Sequence, residues 1–247
     1  MSGTIYLVGA GPGAADLLTI RAARLLEQAD VVLYDALVGA EVLALAKKAK
    51  LYNVGKRAGR PSVDQRFICR LLVRMGQRHQ IVVRLKGGDP NLFGRATEEL
   101  DACRAAGVDV VSVPGVSAAF AAASALGVSL TARNVSRSVA LVTPAKARGG
   151  EDDTHWAEAA AAAETAVIYM GASQAEQVAD ALIARGVPAA RPVALIESAS
   201  TPRQRIIRGA LAELAALAAQ LGDGPALMIV GETVAHVQAA IDQASAA

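Results

Sequence analysis

Short apolar runs alternate with segments of helical period along the first half of the chain. Ile5-Tyr6-Leu7-Val8 stops at a glycine turn, and Leu17 to Gln28 follows with helical spacing. Val31-Val32-Leu33-Tyr34 is a second β-branched run, after which Glu41 to Lys48 predicts a helix. Leu51 to Val54, Ile81 to Leu85 and Val108 to Val113 predict further strands, with helices over Val63 to Arg78 and Thr97 to Ala106. Strands and helices in this rhythm imply βαβ units and a largely parallel sheet.

The second half alternates with a different texture. Ser138 to Val142, Ala166 to Met170, Val193 to Ile196 and Leu227 to Val230 predict strands. Ala175 to Ala184 and Ala210 to Leu221 predict helices, with Gly186 and Gly222 as stops. Ala147 to Asp153 is polar and glycine-bearing, and predicts a surface loop. The break at Val113-Pro114-Gly115 suggests two α/β domains, 1–114 and 115–247, with a small-molecule cleft between them.

Composition narrows the class. The chain has 247 residues, enough for two cores of roughly 100–130 residues each. Its net charge of +2 lends no support to nucleic-acid binding, which calls for a larger basic excess. No run of about 18 apolar residues predicts a membrane span. The start, Met1-Ser2-Gly3-Thr4, lacks a cationic flank and predicts a first strand, not a signal peptide. Cys69 and Cys103 form no Cys-x-x-Cys pair, which suits a reducing cytoplasm. His79, His155 and His236 show no ligand spacing, so no metal site is expected. Arg66, Arg70, Arg74 and Arg78 make a basic helical ridge, expected to be a solvated face.

Two glycine loops carry the candidate chemistry. Gly9-Ala10-Gly11-Pro12-Gly13-Ala14 fits the G-x-G-x-x-A dinucleotide fingerprint, and Asp35 stands where its ribose-binding acid would fall. An NAD-linked oxidoreductase is therefore one alternative. Against it, Pro12 has no N–H to offer a pyrophosphate, and Asp16 puts an anion beside the phosphate position. The second loop, Lys86-Gly87-Gly88-Asp89-Pro90, follows a strand and exposes backbone beside a fixed acid. That acid suits a sulfonium and an ammonium group, as in S-adenosylmethionine, and would repel a pyrophosphate.

The chain resembles the uroporphyrinogen-III C-methyltransferases of the tetrapyrrole methylase family. The matching segments are Val8 to Gly13, Leu17-Leu18-Thr19, Tyr34 to Val38, Val54 to Gly59, Arg84 to Pro90 and Phe93-Gly94-Arg95. They continue with Val113 to Ala118, Tyr169-Met170-Gly171 and Val230-Gly231-Glu232, nearly the whole chain in order. The resemblance implies two α/β domains around a cleft, the first sheet mainly parallel and the second mixed, in a homodimer. It implies methylation of uroporphyrinogen III at carbons 2 and 7, with S-adenosylmethionine as methyl donor, to give precorrin-2. A methylase acting on a later precorrin is a nearer alternative than the oxidoreductase; Gly55 to Gly59 and Tyr34 to Val38 argue against it.

The family's roles fall on named residues here. Asp35 matches the proton acceptor, although a helix cap or a ribose binder is the other use of such an acid. Lys56 matches the proton donor; its neighbour Arg57 disfavours its charged form, but it could instead only attract substrate carboxylates. Pro12, Gly87, Gly88, Asp89, Leu92, Ser117, Ala118, Met170 and Ala199 are the implied cofactor contacts, with Ser117 equally able to cap a helix and Met170 able to be plain core. Arg95, Glu98 and Arg133 are the implied substrate contacts, arginine's planar fork suiting carboxylates. Ala132, where relatives have histidine, and Thr143-Pro144-Ala145, where they read Thr-Gly-His, depart from the pattern.

Overall fold

The computed structural model describes residues 3–55, 64–145 and 154–235. The chain divides into two compact units, Met1–Ala118 and Ala119–Ala247. In the first unit, strands β1 (Thr4–Gly9), β2 (Val31–Tyr34), β3 (Lys50–Asn53), β4 (Ile81–Lys86) and β5 (Asp109–Val113) form one sheet. Their order is β3-β2-β4-β1-β5, and every neighbouring pair is parallel.

Helices cover both faces of that sheet, which is why its central strands are apolar on both sides. On one face, α1 (Ile20–Gln28) and α2 (Ala40–Leu43) bring Ala22, Leu25, Leu26 and Val42 onto Val8, Val32, Val83 and Leu85. On the other, α3 (Gln65–Gly76) and α4 (Ala96–Ala105) bring Ile68, Leu72 and Cys103 onto Ile5, Val31, Leu33 and Val82. Each fully buried leucine of this kind stabilises by about 1.5–3 kcal/mol. The connection leaving β1 runs over the first face and that leaving its neighbour β4 over the second. The carboxyl ends of β1 and β4 therefore flank a topological switch point, where open α/β sheets bind ligands.

The second unit holds α5 (Ala118–Leu126, beginning on the last residue of the first unit), α6 (His155–Ala162), α7 (Ala175–Ile183) and α8 (Leu214–Ala218). Its strands are β6 (Val139–Val142), β7 (Thr165–Tyr169), β8 (Pro192–Glu197), β9 (Arg205–Ala210) and β10 (Ala226–Gly231). They order as β6-β7-β10-β8-β9, with β6 parallel to β7 and the other pairs antiparallel. Val178 and Leu182 of α7 and Leu214 and Leu217 of α8 pack on Ile168, Leu195 and Met228. The expected pairing of a parallel sheet with a mixed one is what the chain adopts. No helix among the described residues is long and apolar enough to cross a membrane.

Several elements differ from the pattern-based expectation. The helix expected from Leu17 starts at Ile20, because Thr19 caps it by accepting from the Ala22 amide at 3.1 Å. The helix expected over Glu41 to Lys48 is one turn, Ala40–Leu43. Strand β9 occupies residues ahead of the helix expected from Ala210, and that helix shrinks to Leu214–Ala218 behind a 3-10 turn. Tertiary pairing wins there: Ile206 and Ile207 lie opposite Ile196 and Leu195 on β8. Helix α6 is an alanine run with little polar contrast, so periodicity gave no signal. Arg66, Arg70, Arg74 and Arg78 are all exposed, as a solvated ridge requires.

Candidate active site

The two glycine loops touch at the switch point. Ala10 N donates to Lys86 O at 2.7 Å, Gly11 N to Gly88 O at 3.2 Å, and Gly88 N back to Gly11 O at 2.7 Å. The end of β5 joins them. A Cβ on Gly9 would lie 2.6 Å from the Gly115 Cα and from the Gly88 carbonyl oxygen, and a Cβ on Gly115 only 2.3 Å from that oxygen. Three strand ends thus meet backbone to backbone, where only glycine fits. These contacts also dispose of the pyrophosphate reading, because the Ala10 and Gly11 amides are already committed to the neighbouring loop. Moreover, only a single 3-10 turn, Ala15–Leu17 with Asp16 in it, follows the loop directly, and α1 begins at Ile20, so no α-helix N-terminus stands at the phosphate position.

Asp89 has a structural duty that its charge alone does not suggest. One carboxylate oxygen accepts from the Asn91 amide at 2.8 Å and the other from the Gly115 amide at 3.0 Å. It locks the loop after β4 to the end of β5 while keeping a negative charge at the crevice. Gly87, Gly88, Asp89, Leu92 and Pro12 are all partly exposed along this edge. Buried Ser117 and partly exposed Ala118 sit where α5 begins, just beyond Gly115. Phe93 and Arg95 have left-handed backbones, φ 52° and 56°, at the turn into α4. Arg95 there grips Glu98 with two bonds, 2.7 and 2.8 Å, and both side chains are exposed.

Asp35 follows β2 on the same edge, and its partners were not anticipated. Arg84 Nη2 donates to Asp35 Oδ1 at 2.6 Å, and Arg84 Nε donates to Glu99 Oε1 at 3.1 Å. The Lys86 ammonium lies 3.2 Å from both Glu99 oxygens, and Gln65 Nε2 donates to Glu99 Oε1 at 3.0 Å. Arg84, Lys86 and Glu99 are buried, while the Asp35 side chain is 28% exposed. Among the described residues, the second Asp35 oxygen takes no hydrogen bond. Burial, reinforced by the Arg84 charge, pushes the Lys86 ammonium below the usual lysine range. Alternate positions on β4 point to one face, so the pair at 84 and 86 faces α3 and α4 together. Two cations inside an otherwise apolar parallel strand were the signal for this cluster.

Within the second unit, Met170 and Ala199 follow β7 and β8, which run in the same direction, so both lie on one sheet edge. Met170 is 50% exposed with φ 55°, and is not plain core. Ser198 and Ser200, with φ 50° and 64°, bracket Ala199. Non-glycine residues in this region carry strain of the kind found at ligand sites. Buried Glu197 fixes the start of that turn, accepting from the Gly224 amide at 2.9 Å and pairing with Arg205 at 3.3 Å. The backbone amides of Gly222 and Gly224 hold its carboxyl below the usual range. That stability is present while the carboxylate is ionised and is lost as pH falls through its lowered value. Glu197→Gln should therefore lower Tm by several degrees at pH 7, with the gap closing in acid; a gap independent of pH in calorimetric scans would contradict this.

Arg133 is exposed in a turn closed by the Ala132–Ser136 bridge. Ser136 Oγ lies 2.9 Å from Thr165 Oγ1, at the start of β7. The turn is therefore anchored at the opposite edge of its sheet from Met170 and Ala199, and the structure does not bring Arg133 to them. Lys56 lies outside the described residues.

Residues 4–215 match the family model of the tetrapyrrole (corrin/porphyrin) methylases. The chain belongs to the tetrapyrrole methylase family. A siroheme synthase 2 of Serratia proteamaculans is 46% identical over 234 residues, 94% of this chain and 49% of that protein. The chain spans about half the length of the curated relatives it matches. A uroporphyrin-III C-methyl transferase from Thermus thermophilus, solved in complex with S-adenyl homocysteine, is 41% identical, with a TM-score of 0.82. The match covers 94% of this chain and 99% of that one. A cobalt precorrin-4 methyltransferase is similar in fold, with a TM-score of 0.82 at 28% identity, over 94% of this chain and 95% of that one.

Proposed function

We propose that this tetrapyrrole methylase converts uroporphyrinogen III to precorrin-2 by methylation at carbons 2 and 7. The observation that carries the reading is Asp35: a carboxylate gripped through one oxygen by a buried arginine, its other oxygen taking no hydrogen bond among the described residues, at the strand-end edge that carries the glycine loops. The crevice suits S-adenosylmethionine better than a dinucleotide. Its two facing loops have spent the Ala10 and Gly11 amides on each other, and Asp89 leaves it negatively charged. Bound there, the sulfonium would supply the methyl group.

The chain's own residues would do the rest. Pro12, Gly87, Gly88, Asp89, Leu92, Ser117 and Ala118, with Met170 and Ala199 of the second unit, would hold the methyl donor. Arg95, Glu98 and Arg133 would bind and orient the carboxylate-rich tetrapyrrole. Orienting the nucleophilic carbon accounts for up to about 7–11 kcal/mol of barrier lowering. The second oxygen of Asp35 would take the proton that the substrate loses as the new carbon–carbon bond forms, and Lys56 would serve as the proton donor. The higher identity to the uroporphyrin-III enzyme than to the cobalt precorrin-4 enzyme supports the earlier substrate over a later precorrin. A cytoplasmic homodimer is part of the same reading; the free thiols of Cys69 and Cys103 suit a reducing compartment.

Two measurements test it. Titration calorimetry should give saturable binding of S-adenosylhomocysteine and no heat with NADH; the reverse would sink the methylase reading. Incubation with uroporphyrinogen III and S-adenosylmethionine should raise the product mass by two methyl groups. A single methyl, or none, would redirect the substrate assignment.

A further inference from the structure

The cluster behind Asp35 is an expensive way to pack a sheet against helices. Four charges, two cations and two carboxylates, occupy a region whose neighbours on β4 are Val82, Val83 and Leu85. Position 84 lies in register between Leu33 of β2 and Leu7 of β1, so an apolar side chain would suit it. Well-packed apolar residues commonly match or exceed the stability of such a buried ionic group. Stability does not account for the arrangement, but geometry does.

Every arm of Arg84 is engaged. Nε meets Glu99, Nη2 meets Asp35, and Nη1 donates to the Leu85 carbonyl at 3.2 Å. The guanidinium is planar, so fixing two of its nitrogens fixes the direction of the third. Glu99, 1% exposed, is in turn held by Lys86 and Gln65. The four charges sum to zero, and Asp35, 28% exposed, is the one member with appreciable access to the surface.

We propose that Glu99, clamped by Lys86 and Gln65, is a positioning residue that acts through Arg84 to hold Asp35 by Oδ1 and aim Oδ2 at the substrate. This rests on the proton-acceptor role given to Asp35 above, and it names what makes that carboxylate a directed base. Among the described residues, the charged and titratable groups around Asp35 and Glu99 include Arg84 and Lys86 on β4, Cys69 on α3, Cys103 on α4, and the Arg95–Glu98 pair at the start of α4.

The test uses the full chain with uroporphyrinogen III, comparing wild type with Glu99→Gln and Arg84→Gln, each assayed well below its Tm. The expected result is a kcat lowered about 10- to 100-fold in both, with KM and the Kd for S-adenosylhomocysteine within twofold of wild type. The acid limb of the kcat profile should also move in opposite directions. Glu99→Gln leaves the cluster net positive, favours the ionised base and shifts the limb to lower pH. Arg84→Gln removes the cation and moves it the other way. A part that only braces the fold would lower Tm and leave both limbs in place, which would overturn the proposal. Should either variant not fold, Arg84→Lys keeps the charge but loses the fork. It should retain the wild-type limb and lose at least fivefold in kcat, and an unchanged kcat would overturn the relay. Absence of methyl transfer by the wild type would overturn the catalytic reading itself, whereas an active wild type with active variants overturns the relay alone.

Discussion

Asp35→Asn keeps the fold and S-adenosylhomocysteine binding but lowers turnover by about 10²–10⁴-fold, the usual share of a positioned general base. The substitution is close to isosteric. The Asn carbonyl oxygen can still accept from Arg84 Nη2, so the contact at 2.6 Å survives in kind while the basic oxygen becomes an amide nitrogen. A single-turnover assay of methyl transfer, beside calorimetry of cofactor binding, separates the two effects. Turnover within threefold of wild type would remove Asp35 from proton transfer and leave it as the outer end of a structural ion pair.

Glu99→Ala should destabilise the first unit by about 3–5 kcal/mol, the cost of stranding buried charge. Arg84 and Lys86, 2% and 4% exposed, would keep only Asp35 between them. Lys86 can relieve part of this by giving up its proton. Its folded-state value, already lowered by burial, would drop further. The unfolded chain then holds more protons than the folded one across the interval between the two values, so stability rises with pH there. Urea titrations at several pH values should show a loss that shrinks as pH rises. A loss under 1 kcal/mol, flat with pH, would mean the cluster is hydrated and contributes little.

Much of the fold was legible because its strands obey simple periodicity. β1, β2 and β4 are apolar runs ending at glycine or acid, and each lies close to its expected position. The miss at β9 has a tertiary cause: local pattern was overridden by pairing. Arg205 to Ala210 looks neither strongly alternating nor helical, and only its place beside β8 makes it a strand. The candidate site divides similarly. Loop residues such as Gly88 and Asp89 announce themselves by composition, and they do lie at the switch point. The hydrogen bonds of Asp89 to two backbone amides were invisible, since they depend on where β5 ends. Arg84 and Lys86 stood in plain view, but their shared partner Glu99, and the Gln65 that holds it, come from α4 and α3 on either side of β4 in the sequence. Arg133 shows the opposite limit: an arginine placed by motif alone gave no hint of the sheet edge to which its turn is tied.

The meeting of Gly9, Gly88 and Gly115 sets a limit on redesign. Any Cβ at Gly9 or Gly115 strikes main chain, which no choice of side chain can avoid, so cofactor preference cannot be retuned there by exchanging residues. Neither can one loop be lengthened or swapped alone, because each serves as the wall against which the others are set. An engineer seeking to enlarge the crevice would have to transplant the ends of β1, β4 and β5 together, as one inherited part.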